Sequence, residues 1–253
     1  MLIDVHCHMN LYLNIDAVLN EASQNRVKKI IAVAMSATSQ KRILDLSKQY
    51  DSIFPALGIH PEEVRNNKNI EEELDVVIKQ IISSEQYLCA IGEIGLDHYF
   101  IKNKDLYPLQ TKVFKKMLSL AQKLHLPVNL HTKGAEEQIF ETLPSYNIPN
   151  INLHWYSGPE KYLDIGIDRG YYFSINPAIN YSPKVKKIVS LVEISHLLLE
   201  SDGPVKFSGK VGTPAMIKDV LNEIALIKNL NNNDTEKIIF ENTKKVFPRL
   251  FKN

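Results

Sequence analysis

Histidines in this chain collect at the ends of short apolar runs. His6 and His8 follow Leu2–Val5, His60 follows Ile53–Ile59, His131 follows Pro127–Leu130 and His154 follows Ile151–Leu153. Two carboxylates stand in a similar relation to their neighbours, Glu93 after Leu88–Gly92 and Asp202 shortly after Leu197–Leu199. Imidazole nitrogens and carboxylate oxygens are the donors that hold divalent metal ions in hydrolytic sites. Donors of this kind repeated at the ends of separate runs predict one metal-dependent hydrolase site assembled from distant segments.

His6-Cys7-His8 is the sharpest local pattern. Side chains two apart on a strand share a face, so both imidazoles can approach one cation while Cys7 points away as core filler. Glu93 lies within the apolar stretch Ala90–Asp97, where a carboxylate is costly to bury unless paired or metal-bound. Its two oxygens can bridge two cations, and the neighbouring glycines are expected to leave room for them; the competing reading is an ion pair to a barrel lysine. His125 and His196 precede strands and are assigned to the opposite, structural end of the sheet. His98 follows the fourth strand, where it can line the site without being a ligand.

Such residues need a scaffold that delivers them to one place. Eight β-rich runs predict strands at Leu2–His6, Lys29–Ala34, Ile53–Ile59, Leu88–Glu93, Pro127–His131, Ile151–His154, Tyr171–Ile175 and Leu197–Ser201. Helical periodicity fills the intervals near 14–24, 38–50, 70–82, 108–125, 135–143, 159–169, 183–193 and 214–229, as in Leu109, Val113, Phe114, Met117, Leu118 and Ala121. Lys29-Ile30-Ile31-Ala32-Val33-Ala34 is apolar almost throughout, as a strand buried on both faces requires. The alternation predicts an α/β fold, a (β/α)8 TIM barrel over 1–253 as a single domain, in preference to a doubly wound open sheet. An additional C-terminal helix, Asp234–Phe247, capped by Asp234, is expected to cover one end. Barrel enzymes carry their catalytic residues where the strands end, which is where the donors lie.

Bulk properties narrow the class. The 253 residues are 44% hydrophobic and 23% charged, ordinary for a globular protein. No apolar stretch approaches the roughly 18 residues of a membrane span, and the first residues enter a strand without a signal-peptide layout. Two cysteines make no disulfide framework, so a cytoplasmic location is expected. A net charge of +1 does not announce a nucleic-acid binder, but a local basic patch can coexist with it.

Six stretches in order resemble the TatD family of metal-dependent deoxyribonucleases, within the amidohydrolase-like barrels. They are Asp4-Val5-His6-Cys7-His8, Gly58-Ile59-His60-Pro61, Ile91–Asp97, Pro127–His131, His154-Trp155-Tyr156-Ser157-Gly158 and Leu199–Pro204, followed by Asn242-Thr243 in the closing helix. The resemblance implies two divalent metal ions per chain, Mg²⁺, Mn²⁺ or Zn²⁺. His6 and His8 would hold one with help from Asp202, His131 and His154 the other, and Glu93 would bridge them. His60 would lie beside the metals and contact the scissile phosphate. Departures from the family pattern fall on the rim: Glu62 replaces a histidine, Lys133 an arginine, and Gly212-Thr213-Pro214 an Asn-Glu-Pro stretch.

The implied reaction is hydrolysis of DNA phosphodiester bonds, from a 3′ end or on single strands, by a water activated between two cations roughly 3.5–4 Å apart. Asp202 is the candidate to orient that water and accept its proton, with Glu93 and His60 completing the catalytic set. His60 and Lys133 are placed to stabilise growing phosphate charge. Lys102, Lys104, Lys133, Lys184, Lys206 and Lys210 follow strands and could attract a phosphate backbone, while Tyr99, Phe100, Trp155 and Tyr156 could stack on bases. The alternatives are a small-molecule ester, amide or lactone hydrolase with the same centre, and a metal- or partner-binding protein without catalysis. No protein partner is deducible.

Overall fold

A computed structural model describes residues 1–66 and 69–251; positions 67, 68, 252 and 253 of the expected 1–253 span lie outside them. Eight strands run in sequential order: β1 (Leu2–Cys7), β2 (Val27–Val33), β3 (Ile53–Leu57), β4 (Ala90–Gly95), β5 (Val128–His131), β6 (Ile151–His154), β7 (Tyr172–Ile175) and β8 (Leu197–Leu199). Each pairs in parallel with the next. Between them run helices α1 (Ile15–Gln24), α2 (Ala37–Gln49), α3 (Glu63–Asn66), α4 (Ile70–Ser84), α5 (Tyr107–Leu124), α6 (Glu136–Thr142), α7 (Lys161–Asp168) and α8 (Pro183–Leu191), with α9 (Ile217–Lys228) and α10 (Asn232–Val246) after β8. This is the TIM barrel that the alternation predicts.

The ring is joined beyond the end of β8 rather than along it. Asp202 N–H donates to the His6 carbonyl at 2.9 Å and His8 N–H to the Gly203 carbonyl at 2.8 Å. The buried Asp4 carboxylate clamps the same seam, accepting Ser201 N–H at 2.9 Å and the Ser201 hydroxyl at 2.5 Å. The first and last ligand candidates are therefore brought together by the bonds that close the barrel.

Alternate residues of the strands serve two cores. Ile30 and Ala32 of β2 pack toward the helices, whereas Ile31 and Val33 join Ile3, Val5, Ala56, Ala90 and Leu198. Phe247, Val246 and Leu250 complete that second cluster, so the chain after α10 plugs one end. Above it a polar layer crosses the ring: Asn129 Nδ2 donates to the Val5 carbonyl at 2.8 Å, and Asn152 Nδ2 donates to Asn129 Oδ1 at 2.7 Å and Ser174 Oγ at 2.9 Å.

Several boundaries differ from expectation. β3 stops at Leu57, leaving His60 in the turn beyond it, and β4 continues to Gly95, so Glu93 lies inside its strand rather than at the end. The cap of α10 is Asn231, whose side chain accepts Asp234 N–H, and Asp234 belongs to the first turn. A two-stranded hairpin, β9 (Lys206–Phe207) with β10 (Lys210–Val211), forms where a plain loop was expected. His125 is the left-handed terminus of α5 (φ 51°) and His196 lies in the turn before β8, both at the end remote from the candidate ligands.

Candidate metal centre

Glu93 organises the site through its two oxygens. Oε2 faces His6 Nε2 at 3.4 Å and His8 Nε2 at 3.7 Å. Oε1 faces His131 Nδ1 at 3.0 Å, His60 Nε2 at 3.5 Å and His154 Nε2 at 3.8 Å. Asp202 Oδ1 stands across from His8 Nε2 at 3.4 Å, His6 Nε2 at 3.7 Å and His154 Nε2 at 3.8 Å. Three overlapping donor groups result: His6, His8 and Glu93; His6, His154 and Asp202; and His60, Glu93 and His131. All of these side chains are buried.

His154 stands between the two halves, stacked on His6 with ring centroids 3.6 Å apart. His60 falls within one of the three donor groups by distance, with its Nε2 3.2 Å from His131 Nδ1. Cys7 packs toward Met9, as its parity predicts. His98 stacks on Tyr107 at 3.6 Å and belongs to none of the three groups.

The donor set fits a cation. Neither ring nitrogen of fully buried His6 makes a hydrogen bond, and His8 Nδ1 is likewise buried and unpartnered. Buried polar atoms are normally satisfied; His6 Nε2, aimed at Glu93 and Asp202, is the atom a divalent ion would satisfy.

Other ligand candidates are oriented from behind. His131 Nε2 meets Asp97 Oδ2 at 2.9 Å, leaving Nδ1 toward Glu93. His154 Nδ1 meets Glu200 Oε2 at 2.8 Å, leaving Nε2 toward the cluster. Glu62 N–H donates to His60 Nδ1 at 3.1 Å, which puts the proton of a neutral ring on Nε2. Carboxylates behind metal-binding imidazoles fix both tautomer and ring direction.

Asp97 and Glu200 lie within the motifs, but sequence alone assigned them no role. The burial cost that singles out Glu93 applies equally to them.

The electrostatics call for positive charge. Burial works against ionising Glu93, yet His60, His6 and the His131 hydrogen bond outweigh it and hold the carboxyl well below the usual range. Burial also opposes a proton on His131, but its bonds to Asp97 and Glu93 raise it to about 9. Burial lowers His60 and lifts Glu200 to about 8.

The glycines around Glu93 serve the neighbouring strand rather than ions. A Cβ on Gly95 (φ 150°) would lie 1.9 Å from the His131 carbonyl oxygen, and one on Gly92 would lie 2.6 Å from Asn129 Cβ. β4 and β5 shift register between Ile91 and Ile94, and this close approach is what sets Glu93 against His131.

The sequence profile described as TatD related DNase matches residues 3–248. The chain belongs to the TatD family. This TatD-family hydrolase is 34% identical over 253 residues to the uncharacterized metal-dependent hydrolase MJ1582 of Methanocaldococcus jannaschii, covering 98% of this chain and 97% of that one. It is 29% identical over 261 residues to human deoxyribonuclease TATDN3, with 98% and 95% covered. The crystal structure of YJJV, a TatD homolog from Escherichia coli, superposes with a TM-score of 0.88 at 25% identity, covering 98% of both chains. The protein is a metal-dependent hydrolase of amidohydrolase-like fold, and no helix among the described residues is long and apolar enough to cross a membrane.

Of the rim residues, Tyr99, Phe100, Lys133, Trp155 and Lys184 line one cleft of about 580 Å³. Tyr156 does not serve the rim: it is buried, its hydroxyl donates to the Pro159 carbonyl at 2.6 Å, and its ring meets Phe173. Lys210 lines a separate cleft with Tyr181 and Phe207. Lys102 lies 4.9 Å above the Tyr99 ring.

Proposed function

We propose that this TatD-family hydrolase is a deoxyribonuclease that cleaves phosphodiester bonds of single-stranded DNA, working inward from a 3′ end. The observation that carries the reading is the split of Glu93, with one oxygen toward His6 and His8 and the other toward His60, His131 and His154. A carboxylate presenting each oxygen to a different set of imidazoles would suit two cations, which His6, His8 and Asp202 and His131 and His154 would hold, with Glu93 shared by both. Paired divalent ions supply an acidified water and charge neutralisation at a phosphodiester. The deoxyribonuclease name of the human relative supports the substrate class.

The chain's own residues divide the remaining work. Burial alone would keep Asp202 protonated, but His154 and His8 hold its carboxyl below the usual range, so it is ionised and able to accept a proton from the attacking water. His60 presents Nε2–H toward the cluster and can donate to a non-bridging phosphate oxygen. The Lys133 ammonium, donating to the Trp155 carbonyl at 2.8 Å and Ser157 Oγ at 2.9 Å, is a fixed positive charge near the incoming strand.

A second reading, hydrolysis of a small-molecule ester, is favoured by the size of the cleft beside the centre, which matches ordinary ligand pockets. An end-labelled single-stranded oligonucleotide, incubated with chelator-stripped protein and then Mg²⁺, Mn²⁺ or Zn²⁺ separately, decides between them. Products shortened stepwise from the 3′ end, abolished by Glu93→Gln, are expected. No cleavage with any cation, alongside turnover of a nitrophenyl ester, would establish the second reading instead.

A further inference from the structure

The cleft beside the ligand cluster holds chemistry that the metal centre does not use. Its walls include Tyr99, Phe100 and Trp155, its cations are Lys133 and Lys184, and it contains one carboxylate, Glu136. Tyr99 and Phe100 are 60% and 62% exposed, a large aromatic surface left to water. Their rings meet edge to face with centroids 4.8 Å apart. Asp97 Oδ1 accepts Tyr99 N–H at 2.9 Å and Phe100 N–H at 2.6 Å, while Oδ2 holds His131. One carboxylate thus fixes this wall and a candidate ligand together.

Trp155 is fixed just as firmly. Its backbone is left-handed (φ 38°), with its N–H donating to Glu200 Oε1 at 3.0 Å and its carbonyl accepting from Lys133. A non-glycine residue keeps that conformation only where its surroundings impose it. The Trp155 and His154 ring centroids are 6.3 Å apart, so the indole adjoins the cluster, and the Lys133 ammonium lies 4.6 Å over its ring as a cation for an adjoining phosphate.

Glu136 distinguishes this cleft from a plain phosphate groove. Its Oε1 accepts one long bond, 3.3 Å, from Gly134 N–H, and Oε2 has no hydrogen-bond partner among the described residues. A Cβ at Gly158 would lie 2.6 Å from Glu136 Cγ, so glycine there is what lets the carboxylate occupy its place. A carboxylate repels phosphate and accepts from N–H groups; flat aromatic walls attract a π-system.

We propose that this cleft is a nucleobase pocket, in which Trp155, Tyr99 and Phe100 stack on the base and Glu136 accepts a hydrogen bond from its exocyclic amino group. Adenine, cytosine and guanine are favoured over thymine, which has no exocyclic amino group and whose one base N–H is flanked by two carbonyl oxygens that the carboxylate repels. The inference rests on the nuclease reading for its substrate class but adds a preference for the base itself.

Trp155 is the single tryptophan of the chain, so intrinsic fluorescence reports this cleft alone. The wild-type protein, kept in chelator so that phosphate has no cation to bind, is titrated with each of the four deoxynucleoside monophosphates and with deoxyribose 5-phosphate. Excitation is set at the red edge of tryptophan absorption, clear of the bases. Saturable quenching is expected, about tenfold tighter for the three amino-bearing nucleotides than for thymidine monophosphate. Glu136→Gln should erase that margin and Phe100→Ala should weaken all four. Equal midpoints for all nucleotides and the base-free sugar phosphate overturn the proposal on the wild-type protein alone, whether or not the variants fold. DNA cleavage without base selectivity sinks the pocket and leaves the nuclease intact; selective binding without cleavage does the reverse.

Discussion

Glu200 shows how a residue that touches no substrate can govern the site. It is fully buried, takes His154 at 2.8 Å, accepts the Ser174 hydroxyl and holds the Trp155 amide. Burial lifts its carboxyl to about 8, so above that pH it is an acceptor-only carboxylate facing His154, whereas glutamine keeps the shape but can present either a donor or an acceptor. Glu200→Gln is therefore expected to weaken metal affinity about 10- to 100-fold while the protein stays folded. Competition against a chromogenic chelator measures this, and unchanged affinity would show that His154 needs no orienting partner. The residues facing the centre were legible because histidine and buried carboxylate are conspicuous in apolar runs. Their supports were harder to read. Asn129-Leu130-His131 and Asn152-Leu153-His154 repeat one tripeptide on adjacent strands, and that echo marks the polar layer beneath the imidazoles. It carries meaning only once the two strands are known to pair in register.

Strands deliver the donors, and the exact ends of those strands set their distances. Gly95 and Gly170 both have positive φ, at 150° and 72°, yet their surroundings differ completely. At Gly170, before β7, nothing lies within 4 Å of where a Cβ would stand; at Gly95 the His131 carbonyl oxygen would be 1.9 Å away. Gly170→Ala should cost only the left-handed backbone penalty, about 1–2 kcal/mol, with metal binding intact. Gly95→Ala must separate β4 from β5, so a much larger loss of stability together with loss of bound metal is expected. Thermal melts paired with metal analysis of purified protein test both, and a Gly95→Ala protein with a full metal complement would refute the coupling of strand register to the site. Periodicity located every strand of the barrel but misjudged this stretch, because hydrophobic pattern reports burial and is silent on how closely two backbones approach. For the same reason the hairpin of β9 and β10, built from four residues with three exposed, left no periodic trace.

At the scale of the whole molecule, protons and metal ions compete for one buried centre, and folding stability is linked to both. The barrel itself was legible from the alternation of strands and helices; the seam that unites its first and last strands was not, because Asp4, Ser201 and Asp202 bond across nearly the whole length of the chain. Across that seam the donors converge tightly enough to perturb one another. Burial disfavours a charged His131, but bonds to Asp97 and Glu93 raise it from its ordinary 6.5 to about 9. A raised folded-state value means that the protonated ring adds stability in full below pH 6.5, and that this contribution is lost as pH rises through 9. A metal ion needs the neutral ring, so binding must expel that proton, and affinity should rise about tenfold per pH unit for each proton displaced. The two trends run in opposite directions. In chelator, the His131 contribution to the melting temperature should decline between pH 6.5 and 9. At a fixed concentration of Mn²⁺, the rise in melting temperature produced by the ion should grow across the same interval. Scanning calorimetry with and without the ion measures both at once. A metal-induced shift that is flat over this range would mean that His131 gives up no proton to the metal, and would remove it from the set of residues that hold the ion.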